Sequence, residues 1–277
     1  MNPLITLTSD FGQKDPYLAS LKGELYRLLE HPVIIDISNE IEPFHIAQAA
    51  FVVQNSYVHF PAGSVHILCI DDTVSPENKP IVAKLNKHYF VCPDNGILSL
   101  ISPKFNPDEV YEIDIQKVPT DSFNTRSIFA QAAAHLIRGG APSVIGKKTK
   151  QINVCLPFTP SVNNDKKTIT GKVIYIDNYE NVITNISEEL FVEIGKGRAF
   201  TIQVRNNEIK QVVRSYAEII RFDIDKNKRV EGGKELALFN SSGLLELAIY
   251  KSNPQHTGGA SSLFGLQYLD VVSVHFE

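Results

Sequence analysis

A chain of 277 residues with 43% hydrophobic composition is long enough to bury two cores, because single cores rarely grow past about 250–300 residues. Its 27 Lys and Arg stand against 31 Asp and Glu for a net charge of −4, and the basic residues are scattered, so the footprint of a nucleic-acid binder is missing. Cys69, Cys92 and Cys155 form no C-x-x-C or zinc spacing and read as reduced thiols of a cytoplasmic protein. The first residues lack a secretory pattern, and no run approaches the ~20 apolar residues of a membrane span.

A short apolar strand at 4–7 runs into Thr8-Ser9-Asp10-Phe11-Gly12, after which Leu18, Leu21, Leu25 and Leu28 recur at helical spacing. Asp15 before Pro16 predicts an N-cap with proline at the first helical position. A β-branched strand at 33–37, a helix over 43–53 and a strand at 65–70 follow. This alternation predicts an α/β domain with a central, mostly parallel sheet. Runs at 81–85 and 89–92 flank the hairpin turn Asn86-Lys87-His88, and Pro93-Asp94-Asn95-Gly96 marks a tight loop before 97–101. A helix over 127–138 stops at Gly139-Gly140.

Residues 146–167 turn polar and rich in Pro, Asn and Lys, and short β runs follow at 172–176, 200–204, 235–239, 244–249 and 271–276. The expected organisation is an α/β domain over 1–150, a linker over 151–168 and an all-β, barrel-like domain over 169–277.

No phosphate-binding glycine motif follows the first strand; that loop offers carboxylates instead. Asp10 and Asp15 lie where open α/β sheets bind ligands and suit a pair of vicinal hydroxyls, and they equally suit loop and cap amides. Asp71 and Asp72 end another apolar strand, either as a working pair or with one acid inward and one solvated. Asn124 and Thr125 precede a helix, where they serve as caps or as an anion or water site. Asp177 to Asn181 and Asn240 to Gly243 read as turns. The eight histidines show no ligand spacing, so neither a metal site nor a cofactor is expected.

In chain order, Thr6-Leu7-Thr8-Ser9-Asp10-Phe11-Gly12, Phe60-Pro61-Ala62-Gly63-Ser64-Val65-His66, Pro93-Asp94-Asn95-Gly96, Ile128-Phe129-Ala130, the stretch from Ile176-Asp177-Asn178-Tyr179-Glu180-Asn181 to Ile186, and Asn240-Ser241-Ser242-Gly243-Leu244-Leu245-Glu246 resemble the S-adenosylmethionine hydroxide adenosyltransferase family, relatives of the enzymes that make fluoro- and chloro-deoxyadenosine. The resemblance covers nearly the whole chain. It implies a homotrimer whose sites lie between one subunit's N-terminal domain and its neighbour's C-terminal domain, with S-adenosylmethionine as substrate or ligand. It places Asp10 on the ribose hydroxyls and Phe44 against the ligand. Asp177, Asn181, Tyr216 and Ser241 fall on the methionine and adenine side. Asp15, Asp94, Asn95 and Ser242 complete the candidate binding set.

The family's hydrolases carry an Asp in V-D-P-G-V-G-x-x-R-R, an Arg seven residues after it and a His in F-H-G-R-D. Here Asp71 is kept, Asp72 replaces the Pro, Asn78 stands at the Arg position and Asn124 at the His position, so two of three triad members are altered. Tyr250 stands where relatives usually carry an adenine-side Asn, and Thr125 where hydrolases have Gly and the fluorinating branch Ser. Three functions follow as expectations: a slowed S-adenosylmethionine hydrolase giving adenosine and L-methionine, a silent S-adenosylmethionine- or adenosine-binding protein, or an enzyme for another 5′-substituted adenosine or a halide nucleophile.

Overall fold

The computed structural model describes residues 4–102, 107–115, 123–229 and 232–277, with Asn124 and Thr125 described by their backbone only. The chain divides into two compact units, Met1–Pro157 and Phe158–Glu277.

In the first unit, strands β1 (Ile5–Ser9), β2 (Ile34–Ser38), β3 (Val65–Cys69), β4 (Pro80–Leu85), β5 (His88–Pro93), β6 (Glu109–Ile113) and β7 (Gly146–Lys148) form one sheet in the order β2-β1-β3-β5-β4-β6-β7. The strands β2-β1-β3-β5 run parallel, and β4, β6 and β7 extend the sheet antiparallel, so the unit has the expected α/β class. Helices α1 (Pro16–Leu28) and α4 (Asn124–Ile137) pack on each other and bury Leu18, Leu21, Leu25, Phe129 and Leu136 against Ile5, Leu7, Ile67 and Val91. The other face is closed by α2 (Ile46–Gln54) and α3 (Ile97–Ile101), with Ala49, Ala50, Val53 and Ile97 against Leu68, Ile70 and Phe90. The one-turn helix α5 (Pro142–Ile145) leads into β7.

Local chemistry sets the boundaries. Asn86 and Lys87 both take positive φ, 50° and 67°, as a two-residue turn between twisted antiparallel strands demands. Pro16 starts α1 with Asp15 at the N-cap position, but the Asp15 side chain makes no capping hydrogen bond. The second helix begins at Ile46 rather than residue 43, because Phe44 sits at φ 63° and His45 caps the helix by accepting from the Gln48 amide at 3.0 Å. Helix α4 starts three residues before the expected 127 and ends before Gly139 at φ 82°.

The second unit is a nearly closed, barrel-like sheet built from β8 (Ser161–Val162), β9 (Thr168–Ile176), β10 (Val182–Ser187), β11 (Phe200–Val204), β12 (Asn207–Ile209), β13 (Val212–Val213), β14 (Glu235–Phe239), β15 (Leu244–Ile249) and β16 (Val271–Phe276). Its order is β12-β11-β16-β9-β10-β15-β14-β13, with β8 on β9. The interior holds Ile169, Val173, Val182, Ile202, Leu247 and Val274. Two helices were not expected here, α6 (Glu188–Gly195) and α7 (Ala260–Phe264). Ser187 caps α6 by accepting from the Leu190 amide at 3.2 Å, and Glu188 and Glu189 complement its N-terminus. Among the described residues, no helix is long and apolar enough to cross a membrane. Cys69 and Cys92 are buried and Cys155 half-buried, all as free thiols.

One buried polar cluster in the first unit makes stability depend on pH. His66 is fully buried, its Nδ1 lies 2.7 Å from Thr6 Oγ1, and its Nε2 lies 3.1 Å from His88 Nδ1. Burial, and then the neighbouring His88, push His66 from the ordinary 6.5 to about 3. The folded protein therefore holds His66 neutral while the unfolded chain protonates it. The stability this contributes is fully present above about pH 6.5 and is lost as pH falls toward about 3. In His66→Phe, the acid limb of a melting-temperature profile between those limits is expected to flatten relative to the wild type, and identical limbs would refute the assignment.

Candidate active site

Because β1, β3 and β5 are parallel, their carboxyl ends open on one edge, and that edge carries Asp10, Asp71 and Asp94 in turn. The Asp10 amide donates to the Cys69 carbonyl at 3.2 Å, which ties the first loop to the end of β3. Asp10 Oδ2 accepts from the Phe44 amide at 2.9 Å, leaving the Phe44 ring 71% exposed beside the acid. Asn39 braces the same loop, accepting from Ser9 Oγ at 2.7 Å through its side chain and from the Gly12 amide at 2.8 Å through its carbonyl. Gly12 stands at φ 66°, where a side chain would be strained. Asp15 is exposed at the start of α1.

The first loop also receives α4. Phe11, next to Asp10, packs on Phe123 with ring centroids 5.5 Å apart, and Tyr17 meets both rings at 5.9 and 5.5 Å. The Arg126 guanidinium lies 5.7 Å from the Phe123 centroid. The backbone of Asn124 and Thr125 thus starts a helix whose preceding residue is held against the Asp10 loop, while their side chains lie outside the described residues. Sequence reasoning missed this aromatic trio and Arg126, although Phe11 and Phe123 each adjoin a residue it selected.

Asp71 takes φ 47°, a left-handed conformation that costs a non-glycine residue roughly 1–2 kcal/mol and that Asp and Asn tolerate better than most. This turn ends the extended alternation after Cys69, leaving Asp71 exposed and Asp72 partly buried. Asn95 Nδ2 donates to the Ile70 carbonyl at 2.9 Å, and Asn78 Nδ2 donates to the carbonyls of Asp71 at 2.8 Å and Thr73 at 3.1 Å. Ser75 Oγ accepts from the amides of Glu77 and Asn78 at 3.2 and 3.0 Å, closing the loop on itself.

Three buried polar atoms at this edge, Thr8 Oγ1, Asn39 Nδ2 and Asn78 Oδ1, have no partner among the described residues. A buried donor or acceptor without a protein partner marks a place where water or a ligand group completes the hydrogen bonding. Farther along the edge, Asp94 lines a polar cleft of about 570 Å³ with Lys79, Glu112 and Asn153, in which Lys79 and Glu112 pair at 2.9 Å. Burial pushes the Asp94 carboxyl up, partly opposed by the Asn153 amide that donates to it at 2.9 Å.

The second unit has its own constellation. Asp177 Oδ1 accepts from the amides of Tyr179 and Asn181, both at 2.8 Å, which fixes the turn after β9. Asn181 Nδ2 donates to Asp177 Oδ2 at 2.9 Å and to the Tyr216 hydroxyl at 3.3 Å. The Tyr216 hydroxyl donates to Glu246 Oε1, and Asn240 Nδ2 holds the other carboxylate oxygen at 3.1 Å. Burial first, and then Glu246, raise the Tyr216 hydroxyl's pKa, so it stays protonated and donating. Asp177, Tyr179, Asn181, Tyr216, Glu246 and Tyr250 line one pocket of about 350 Å³.

That pocket gathers four of the selected residues, Asp177, Asn181, Tyr216 and Tyr250. Ser241 and Ser242 sit exposed on the turn between β14 and β15, where Asn240 Oδ1 accepts from the Ser242 amide at 3.0 Å. Glu246, only 6% exposed, stands in the Asn240–Glu246 motif but not among the candidate site residues; its signal is a lone carboxylate inside the apolar run of β15. Among the described residues, no group of three or more His, Cys, Asp or Glu side chains is placed to hold a metal ion.

Comparison with known proteins fits this geometry. Residues 5–146 match the SAM hydroxide adenosyltransferase N-terminal domain and residues 171–273 match its C-terminal domain, where SAM is S-adenosylmethionine. A Methanocaldococcus jannaschii protein named (R)-S-adenosyl-L-methionine hydrolase is 30% identical over 98% of this chain and 95% of its own length. A Thermus thermophilus protein of the same name is 26% identical over 94% of this chain and 96% of its own. A crystal structure of an uncharacterized conserved protein from Thermotoga maritima superposes with a TM-score of 0.82 at 28% identity, covering 98% of this chain and all of that one. Two matched domains and a relative similar over almost its full length show that the chain belongs to the SAM hydroxide adenosyltransferase family.

Proposed function

We propose that this protein hydrolyses S-adenosylmethionine to adenosine and L-methionine, at a rate lowered by the loss of two charged catalytic groups. The observation that carries the reading is the shared edge at the ends of β1 and β3, where the Asp10 amide donates to the carbonyl of Cys69, two residues before Asp71. Asp10 supplies a carboxylate for the two ribose hydroxyls and the exposed Phe44 ring supplies an apolar wall. Asp71 orients the attacking water. The matching trimer, with sites shared between subunits, and the roles of Asp177, Asn181, Tyr216 and Ser241 toward methionine and adenine belong to the same proposal.

The chemistry asks little of the leaving group. Water oxygen forms a bond to C5′, the C5′–S bond breaks, and its electron pair turns the sulfonium into a neutral thioether. One proton is released from the water, and Asp71 accepts a hydrogen bond from that water and shares the proton on its way to solvent. What remains is to hold the water about 3–3.5 Å from C5′ in line with sulfur, and to favour its hydroxide-like form. Asn78 and Asn124, at the Arg and His positions of the family pattern, are neutral amides and supply no positive field for that second task. The spent donors of Asn78, both directed at backbone carbonyls, favour as second reading a silent S-adenosylmethionine or adenosine binder. Thr125 at the Gly or Ser position keeps halide attack as a further outcome for the assay.

Purified protein incubated with S-adenosylmethionine, with and without chloride, is expected to form adenosine and methionine on chromatography, and Asp71→Asn is expected to abolish them. Binding measured by calorimetry without any product would establish the silent reading instead. Asp10→Asn is expected to raise KM about 10–100-fold with a smaller effect on kcat, the worth of a charge-assisted hydrogen bond of about 1.5–3 kcal/mol. Tyr216→Phe leaves buried Glu246 short of a donor, and a loss of about 1–3 kcal/mol in denaturant unfolding is expected.

A further inference from the structure

We infer that Asn78 and Asn95 are positioning residues that set the direction of the Asp71 carboxylate, and that position 78 has exchanged a charged catalytic role for a mechanical one. This rests on the reading of Asp71 as the group that orients water.

Asn78 carries two side-chain N–H donors, and both point at backbone: one hydrogen bond to the Asp71 carbonyl at 2.8 Å, the other to Thr73 at 3.1 Å. No donor is left on its side chain for a water or a substrate. Asn95 commits one of its two donors to the same task, its Nδ2 donating to the Ile70 carbonyl at 2.9 Å, and its Oδ1 accepts from the Ile97 amide at 3.2 Å at the start of α3. The peptide units before and after Asp71 are therefore each gripped by an amide from a different loop. The residue between them holds φ 47°, a left-handed conformation disfavoured for a non-glycine residue.

A third asparagine locks the two grips together. Asn153 Nδ2 donates to the carbonyls of Glu77 at 3.0 Å and of Asp94, and the Asn153 backbone amide donates to Asp94 Oδ1 at 2.9 Å. Glu77 and Asp94 are the chain neighbours of Asn78 and Asn95. The Asp94 amide in turn donates to the Lys79 carbonyl at 2.8 Å. Releasing either grip lets Asp71 return to negative φ, which redirects its Cα–Cβ bond.

Asn78→Leu and Asn95→Leu keep the side-chain branching and remove the donors. In both, kcat is expected to fall about 10²-fold, the penalty typical of ångström-scale misplacement. KM for S-adenosylmethionine and the shape of the pH–rate profile are expected to stay unchanged, and crystal structures are expected to show Asp71 at negative φ. If Asp71→Asn keeps wild-type turnover, the reading of Asp71 falls. If Asp71→Asn is inactive while both leucine variants keep wild-type kcat, the positioning inference alone falls. Should the wild type prove a binder without turnover, the crystal structures still decide: Asp71 remaining near φ 47° in both variants overturns the inference.

Discussion

Three consecutive carbonyls at the end of β3, those of Cys69, Ile70 and Asp71, are each claimed by a donor from a different place: the Asp10 amide, the Asn95 side chain and the Asn78 side chain. Inside β3 the ladders to β1 and β5 satisfy the backbone without help from side chains. Past Cys69 the ladder ends, and partly buried carbonyls need new partners or incur a desolvation cost. Meeting that need with one donor from the β1 loop, one from the β5 loop and one from the strand's own loop fastens three segments to a single point. That point is where Asp10 and Asp71 must sit if they are to serve one ligand.

The layers behind the edge explain why such a small arrangement holds. Helices α1 and α4 on one face and α2 and α3 on the other bury the strands on both sides, so β1 and β3 have no freedom to slip in register. The aromatic contact of Phe11 with Phe123 carries the order of the core out to the start of α4. In the second unit Asp177, Asn181, Tyr216, Glu246 and Asn240 form an unbroken chain of hydrogen bonds in which Asn181 bridges Asp177 to the Tyr216 hydroxyl, and that hydroxyl and Asn240 donate to Glu246. Both units thus use asparagine amides to fix carboxylates or backbone oxygens, a recurrent answer in a chain whose acids outnumber its bases.

Much of the scaffold was legible in the sequence because its signals are local. The leucine spacing of α1, the alternation of strand and helix, the Asn86-Lys87 turn and the Gly139 stop each arise from backbone sterics or the period of an apolar face. What escaped were features decided at a distance. Helix α6 carries a Ser187 cap and two acids in its first turn, but it is eight residues long between strands and its pattern drowned in β-branched neighbours. Residues 151–157, polar enough to read as linker, belong to the first unit, where the Cys155 amide donates to Ser99 Oγ at 2.9 Å and Asn153 reaches Glu77. Composition reports polarity and cannot report that the partner lies 76 residues earlier in the chain.

The candidate site divides along the same line. Its acids were legible because Asp10, Asp71 and Asp94 follow apolar strands directly, and strand ends are where open α/β sheets meet ligands. The amides around them were visible only as residue types. An asparagine at position 78 looks, in sequence, like the loss of a cation; in the fold it restrains its own loop through two hydrogen bonds, to the carbonyls of Asp71 and Thr73. A guanidinium acts through its field over several ångströms, whereas an amide acts only on what it touches. Under the proposed function, in which the sulfur departs as a neutral thioether, an amide at this position supplies orientation and no stabilisation of developing charge.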